Sequence, residues 1–240
     1  TVKKERIVIP TYPVGAPEPL PMYFEKRPYQ GASGKVYPIP YTSAIGDERD
    51  DNREYEAIVL ENDWVRVELL PEIGGKVHGA VNKTNGYEYV YTNKVIKPAM
   101  VGLAGPWVSG GIEFNYPQHH RPTTFMPAEW AIVGSGDDKR AVMGETDYFY
   151  GLKGMTELSL IPGTNCLRAR VTVYNGTSVE RPFMWWANLA VGINDDYDVV
   201  FPPDVESVND HDRRTILEWP VASGVYKTAR PFDYGKGTDI

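Results

Sequence analysis

The chain has 240 residues, 42% of them hydrophobic, enough for a substantial apolar core in one large β domain. Thirty-two acidic against 25 basic residues leave a formal charge of −7, which argues against a nucleic-acid or anionic-membrane surface and suits a neutral or cationic small molecule. One cysteine rules out an internal disulfide, and no apolar run approaches the roughly 18 residues that span a bilayer.

In chain order, residues 1–54 come first. TVKKERIVIP lacks the apolar centre of a signal peptide, so the expected location is cytoplasmic. Pro10, Pro13, Pro17, Pro19, Pro21, Pro28, Pro38 and Pro40 remove ladder donors and exclude a central strand. Tyr12, Tyr23, Phe24, Tyr29, Tyr37 and Tyr41 need a surface to bury on, so 1–54 reads as an extended arm packed on the domain. Asp47 to Asn52 is a solvated loop.

From residue 55 the period is two. In Trp64–Leu70, Val65, Val67 and Leu69 alternate with Arg66 and Glu68; in Leu167–Val173, Leu167, Ala169, Val171 and Val173 alternate with Arg168, Arg170 and Thr172. Shorter runs near 76–81, 87–92, 110–116, 129–134, 140–147, 155–161, 180–190 and 213–219 are separated by turn clusters such as Asn85-Gly86, Pro162-Gly163-Thr164-Asn165 and Asn175-Gly176. The spacing predicts an all-β fold, a large antiparallel β-sandwich over 55–240, with helix scarce. Cys166, in a strand-like run, is expected to be a small buried hydrophobe. The sequons at Asn82 and Asn175 read as chance matches.

Chemistry concentrates in GLAGPWVSGGIEFNYPQHHRPTTFMP, residues 102–127. As a strand, Gly111–Tyr116 puts Ile112, Phe114 and Tyr116 on one face and Glu113 and Asn115 on the other. Pro117 ends the ladder, leaving Gln118, His119, His120 and Arg121 on the loop beyond, with Trp107 a few residues before. An aromatic surface for sugar C–H groups and polar forks for hydroxyls are what a carbohydrate site needs. The plain alternative is a Glu113–Arg121 pair with surface histidines. Adjacent His119 and His120 diverge in an extended chain, so no metal site is expected there.

In FMWWANLAV, residues 183–191, Trp185, Ala187 and Leu189 share one face and Met184, Trp186, Asn188 and Ala190 the other, one tryptophan to the core and one to a cleft. Asn194, Asp196 and Asp198 lack a full calcium set and read as a solvated turn. Asp204, in FPPDV, is a further ligand-contact candidate; Asp210 beside His211 fits an ordinary polar turn. His78 reads as a structural histidine.

LPEIGGKVHGAVNKTNGYEYVY resembles the early strand pair of galactose-mutarotase-like proteins, and SGGIEFNYPQHHRP is similar to the His/Arg loop segment of hexose-6-phosphate epimerases. Across nearly the whole chain, PTYPVGAPEPLPMYFEKRPYQGASGKVYPIP, VIKPAMVGLAGPWVSGGIEFNYPQHHRP, FMWWANLAV and FPPDV resemble a bacterial family of unknown function whose domain commonly precedes tetratricopeptide repeats. The resemblance implies a galactose-mutarotase-like supersandwich binding carbohydrate. In aldose epimerases a glutamate deprotonates the anomeric hydroxyl while a histidine protonates the ring oxygen.

Carried over, His119 or His120 and Arg121 match the epimerase loop, with Glu113, His119 and His120 as catalytic candidates. Trp107, Asn115, Arg121, Trp186, Asn188 and Asp204 are binding candidates. Asn188 stands where aldose epimerases place the catalytic histidine, and a carboxamide transfers no proton at neutral pH. The superfamily's base glutamate lies late in the fold, so a sandwich incomplete at its C-terminus is expected. Two readings follow, a sugar-processing enzyme or a glycan-binding module of a repeat-containing scaffold, with a purely structural domain third. No metal, cofactor, nucleic acid or membrane is expected; protein partners would come through C-terminal repeats absent from this chain.

Overall fold

The structure, a computed structural model, describes residues 1–17, 42, 44–101, 105–116, 124–148, 150–198, 200–210, 215–219, 225–226 and 230–231. In chain order its strands are β1 (Val2–Val8), β2 (Glu54–Glu61), β3 (Val65–Leu70), β4 (Lys76–Asn82), β5 (Glu88–Val90), β6 (Ala99–Val101), β7 (Gly105–Trp107), β8 (Ile112–Asn115) and β9 (Glu129–Val133). There follow β10 (Arg140–Thr146), β11 (Leu152–Leu160), β12 (Leu167–Asn175), β13 (Trp186–Leu189), β14 (Ser207–Asp210), β15 (Thr215–Glu218), β16 (Val225–Tyr226) and β17 (Arg230–Pro231). Among the described residues the one helical element is a 3-10 turn at Gly136–Asp138, and no helix is long and apolar enough to cross a membrane. The fold is all-β, with antiparallel sheets.

Thr1–Gly192 form one compact unit and Ile193–Ile240 a second. In the second, β14 pairs with β15 and β16 with β17, and Phe201 packs on Trp219 at 4.3 Å between ring centroids. The first holds a seven-stranded sheet in the order β1-β2-β3-β4-β8-β13, with β5 also on β4, and a four-stranded sheet in the order β12-β11-β10-β9. A core between them joins Ile58, Leu60, Val65, Val67, Leu69, Val77 and Phe114 from the larger sheet to Ala141, Met143 and Leu158 from the smaller. Alternation explains it: on β3 the apolar residues are fully buried while Arg66 and Glu68 turn to the outer face. Tyr116 ties the two sheets, its hydroxyl donating to Glu145 O at 2.7 Å. A Cβ on Gly154 would sit 2.4 Å from the Tyr116 ring, so the strand facing it carries none.

The outer face of the larger sheet has its own apolar cluster, including Tyr55, Ala57, Val59, Leu70, Ile96 and Val108. Strand β2 therefore buries side chains on both faces, and Ala57-Ile58-Val59-Leu60 shows no alternation in the sequence. Val2–Val8, placed by the sequence in an arm, pairs with β2 along its whole length as an edge strand of this sheet. Its prolines begin only at Pro10, after the ladder ends. Residues 18–41 of that arm lie outside the described residues. Cys166 is exposed rather than buried: it stands in the turn before β12, where its N–H donates to Thr164 Oγ1 at 3.1 Å.

Across β1, β2 and β3, Arg66 gathers three carboxylates, Glu5 at 2.6 Å, Glu68 at 3.0 Å and Glu61 at 3.3 Å, while Lys83 holds Glu61 at 2.9 Å. Hydrogen bonds from Arg66 and then Lys3 hold the Glu5 carboxyl down at about 2. Arg66→Met keeps the aliphatic stem and removes the shared cation. It is expected to lower stability by about 1 kcal/mol at low ionic strength, and less in concentrated salt, because the network is part-exposed. Urea melts at two salt concentrations measure this; a salt-independent loss would contradict it.

Candidate functional site

Strand β8 enters the sheet through Gly110-Gly111, both at positive φ, 76° and 68°. At Gly111 the chain comes so close to β4 that a Cβ would lie 1.9 Å from Val77 O. Backbone bonds tie the entry down: Gly111 N donates to Tyr91 O at 2.8 Å, and Ala190 N donates to Gly111 O at 2.9 Å. The next residues then alternate. Ile112 and Phe114 turn to the core, where Trp185 stacks on Phe114 with centroids 6.1 Å apart, while Glu113 and Asn115 turn to the outer face.

Register brings the other members to that face. β13 sets Asn188 opposite Glu113 and Trp186 opposite Asn115, and Asn188 Nδ2 donates to Glu113 Oε2 at 3.3 Å. On the other side, the Val77–Ile112 pairing places Lys76 opposite Glu113. The β3–β4 register shifts at Glu68/Leu69, so His78 is the extra residue of a β-bulge, a device that re-aims a side chain. Glu113 and Asn115 are buried, Trp186 and Asn188 half-buried. A carboxylate, two carboxamides and an ammonium thus share one face beside an indole.

Lys76 on this face and His78, two residues along the same strand, were not singled out as ligand contacts from the sequence. Lys76, 4% exposed, donates through Nζ to Val108 O and Ser109 O, each at 2.9 Å. Burial pulls its ammonium down to about 8, opposed by the Glu113 charge. His78, 6% exposed, makes no hydrogen bond through its ring among the described residues. Burial, with the positive fields of Lys76 and Lys94, holds its imidazole down at about 4, opposed by Glu88. No local pattern could pair Lys76 with Glu113, since the partner strand lies more than thirty residues on, and the bulge at His78 breaks the alternation of its own strand.

Of the predicted residues, Glu113, Asn115, Trp186 and Asn188 come together. Trp107 ends β7, paired with β6, two residues before Ser109. Gln118, His119, His120 and Arg121 lie outside the described residues, as do His211 and Asp212. Asp204 is exposed on a turn of the second unit. Asn194 accepts from Asp196 N at 3.0 Å, a local turn, and no group of three or more His, Cys, Asp or Glu able to hold a metal occurs among the described residues.

Fold and face together define a β-sandwich domain with a polar, buried patch on the outer side of its larger sheet. Residues 33–234 match the family described as a domain of unknown function, DUF5107, and the chain belongs to that family. A solved structure, a TPR-domain containing protein from Parabacteroides distasonis, is similar at 28% identity with a TM-score of 0.68. The match covers 80% of this chain and 32% of that one, so this chain spans about a third of its length.

Proposed function

We propose that this domain binds a carbohydrate on the outer face of the larger sheet, and that its sandwich is of the galactose-mutarotase-like kind. The observation that carries the reading is the register across β8 and β13, which sets Glu113, Asn115, Asn188 and Trp186 on one face with Asn188 bonded to Glu113 at 3.3 Å. A carboxylate and carboxamides held by a sheet present fixed acceptors and donors to vicinal hydroxyls, and an indole offers the flat apolar surface that pyranose C–H groups cover. Binding without turnover is favoured over catalysis by Asn188, because a carboxamide cannot deliver the proton that ring opening requires. The similarity to a TPR-domain protein about two and a half times as long supports the companion reading, a glycan-recognition module within a larger scaffold.

The test is titration of the isotopically labelled chain with a panel of mono- and oligosaccharides, reading amide and indole shifts while following anomer exchange of each sugar by NMR. Perturbation of Glu113, Asn188 and Trp186 without accelerated anomer exchange is expected. Glu113→Ala should weaken the best-binding sugar at least tenfold, about 1.4 kcal/mol. Accelerated exchange abolished by Glu113→Ala would establish the enzyme instead. Silence with every sugar would overturn both.

A further inference from the structure

Lys76 is nearly inaccessible, yet it carries a charge in the middle of the face. Its stem lies across Gly111, where a Cβ would come within 3.1 Å of Lys76 Cε, and its Nζ reaches the carbonyls of Val108 and Ser109 at 2.9 Å each. Asn93 Nδ2 donates to the same Ser109 oxygen at 2.7 Å, so the backbone just past Trp107 is anchored twice. Burying an ammonium costs several kcal/mol when nothing uses its charge, and an apolar side chain would fill the same space without that cost. Among the described residues Lys76 makes no contact ion pair to recover the cost. Its charge acts through space on Glu113, in surroundings where such attraction is weakly screened.

We propose that Lys76 is a positioning residue of the carbohydrate face: it ties the chain that follows Trp107 to β4 and holds a cation opposite Glu113, preorganising the face for a polyhydroxyl ligand. This rests on the proposed function. Near Lys76, His78 on the same strand stays neutral, and Lys94 is paired with Glu88 at 2.9 Å.

The experiment uses the 240-residue chain with 13C-enriched lysine side chains, titrated by NMR. One lysine, assigned by its loss in Lys76→Met, is expected to titrate near pH 8, and Glu113→Gln should move that midpoint down. Lys76→Met should shift the Trp107 indole signal and weaken the best sugar of the panel more than tenfold while the melt stays cooperative. Aminoethylation of a cysteine at position 76, in a Cys166→Ser background, should restore both. A Lys76 midpoint among the surface lysines, or one indifferent to Glu113→Gln, overturns the assignment even where sugars bind. If Lys76→Met fails to fold, Lys76→Arg, which keeps the cation, assigns the signal by its loss. Silence from every sugar with the titration as expected overturns the proposed function and the ligand half of this one, leaving the electrostatic coupling established.

Discussion

Gly111→Ala is expected to prevent folding of the first unit or to destabilise it by more than about 4 kcal/mol. Two separate effects add. At φ 68° a side chain is strained wherever it points, and here the new Cβ would stand 1.9 Å from Val77 O, a backbone atom in the middle of the sheet. Moving Val77 aside would break the single β4–β8 pairing and shift Lys76 from Glu113. Gly111 also accepts from Ala190 and donates to Tyr91, so its own backbone is not free to retreat. Gly86→Ala separates the effects: its φ is 72°, but nothing lies within 4 Å of the added Cβ. That variant should cost only the strain, about 1–2 kcal/mol. Soluble yield and urea melts of both proteins are the measurement. A Gly111→Ala protein as stable as Gly86→Ala would mean that β8 does not approach β4 as described.

The second large effect is a loss of stability in mild acid that depends on His78. Its imidazole falls from the ordinary 6.5 to about 4 in the fold, so the folded state binds fewer protons than the unfolded chain between those values. Stability is therefore full above pH 6.5 and is lost as pH falls toward 4, by about 3 kcal/mol over the whole window. Carboxylates such as Glu5 add their own loss lower down, so the discriminating quantity is the difference between the wild type and His78→Gln, whose side chain does not titrate. That difference should change by most of this amount between pH 7 and pH 4.5 in urea melts. Parallel curves for the two proteins would show that the imidazole is solvated or has a partner when charged. Lys76 acts in the alkaline range with the same sign: its folded value of about 8 lies below the ordinary 10.5, so stability attributable to it rises as pH climbs between them.

Much of the strand order along the chain was legible because half-buried strands announce themselves. Val65, Val67 and Leu69 against Arg66 and Glu68 is a period-two pattern, and β3 follows it residue for residue. Where burial is two-sided the signal vanishes, as in β2, and where a strand is mostly charged, as in β1 with two lysines, a glutamate and an arginine, composition points to a surface segment instead. Within the site, the shared face of Glu113 and Asn115 followed from local alternation, and so did the opposite facing of Trp185 and Trp186. The burial of Cys166 was misjudged because a turn and the strand after it share one apolar-looking run.

By itself the amino-acid order determined which residues alternate, where turn clusters separate the strands, and that the protein is β throughout, since these depend on neighbours a few positions apart. Only the tertiary structure decided that Lys76, Glu113 and Asn188 meet, because strand pairing joins segments separated by 37 and 75 positions and any register would satisfy the local pattern equally. The same non-local pairing made Lys76 a buried cation and His78 a buried imidazole with no ring hydrogen bond among the described residues. Their charge states are set by surroundings, and surroundings are assembled by the whole sheet.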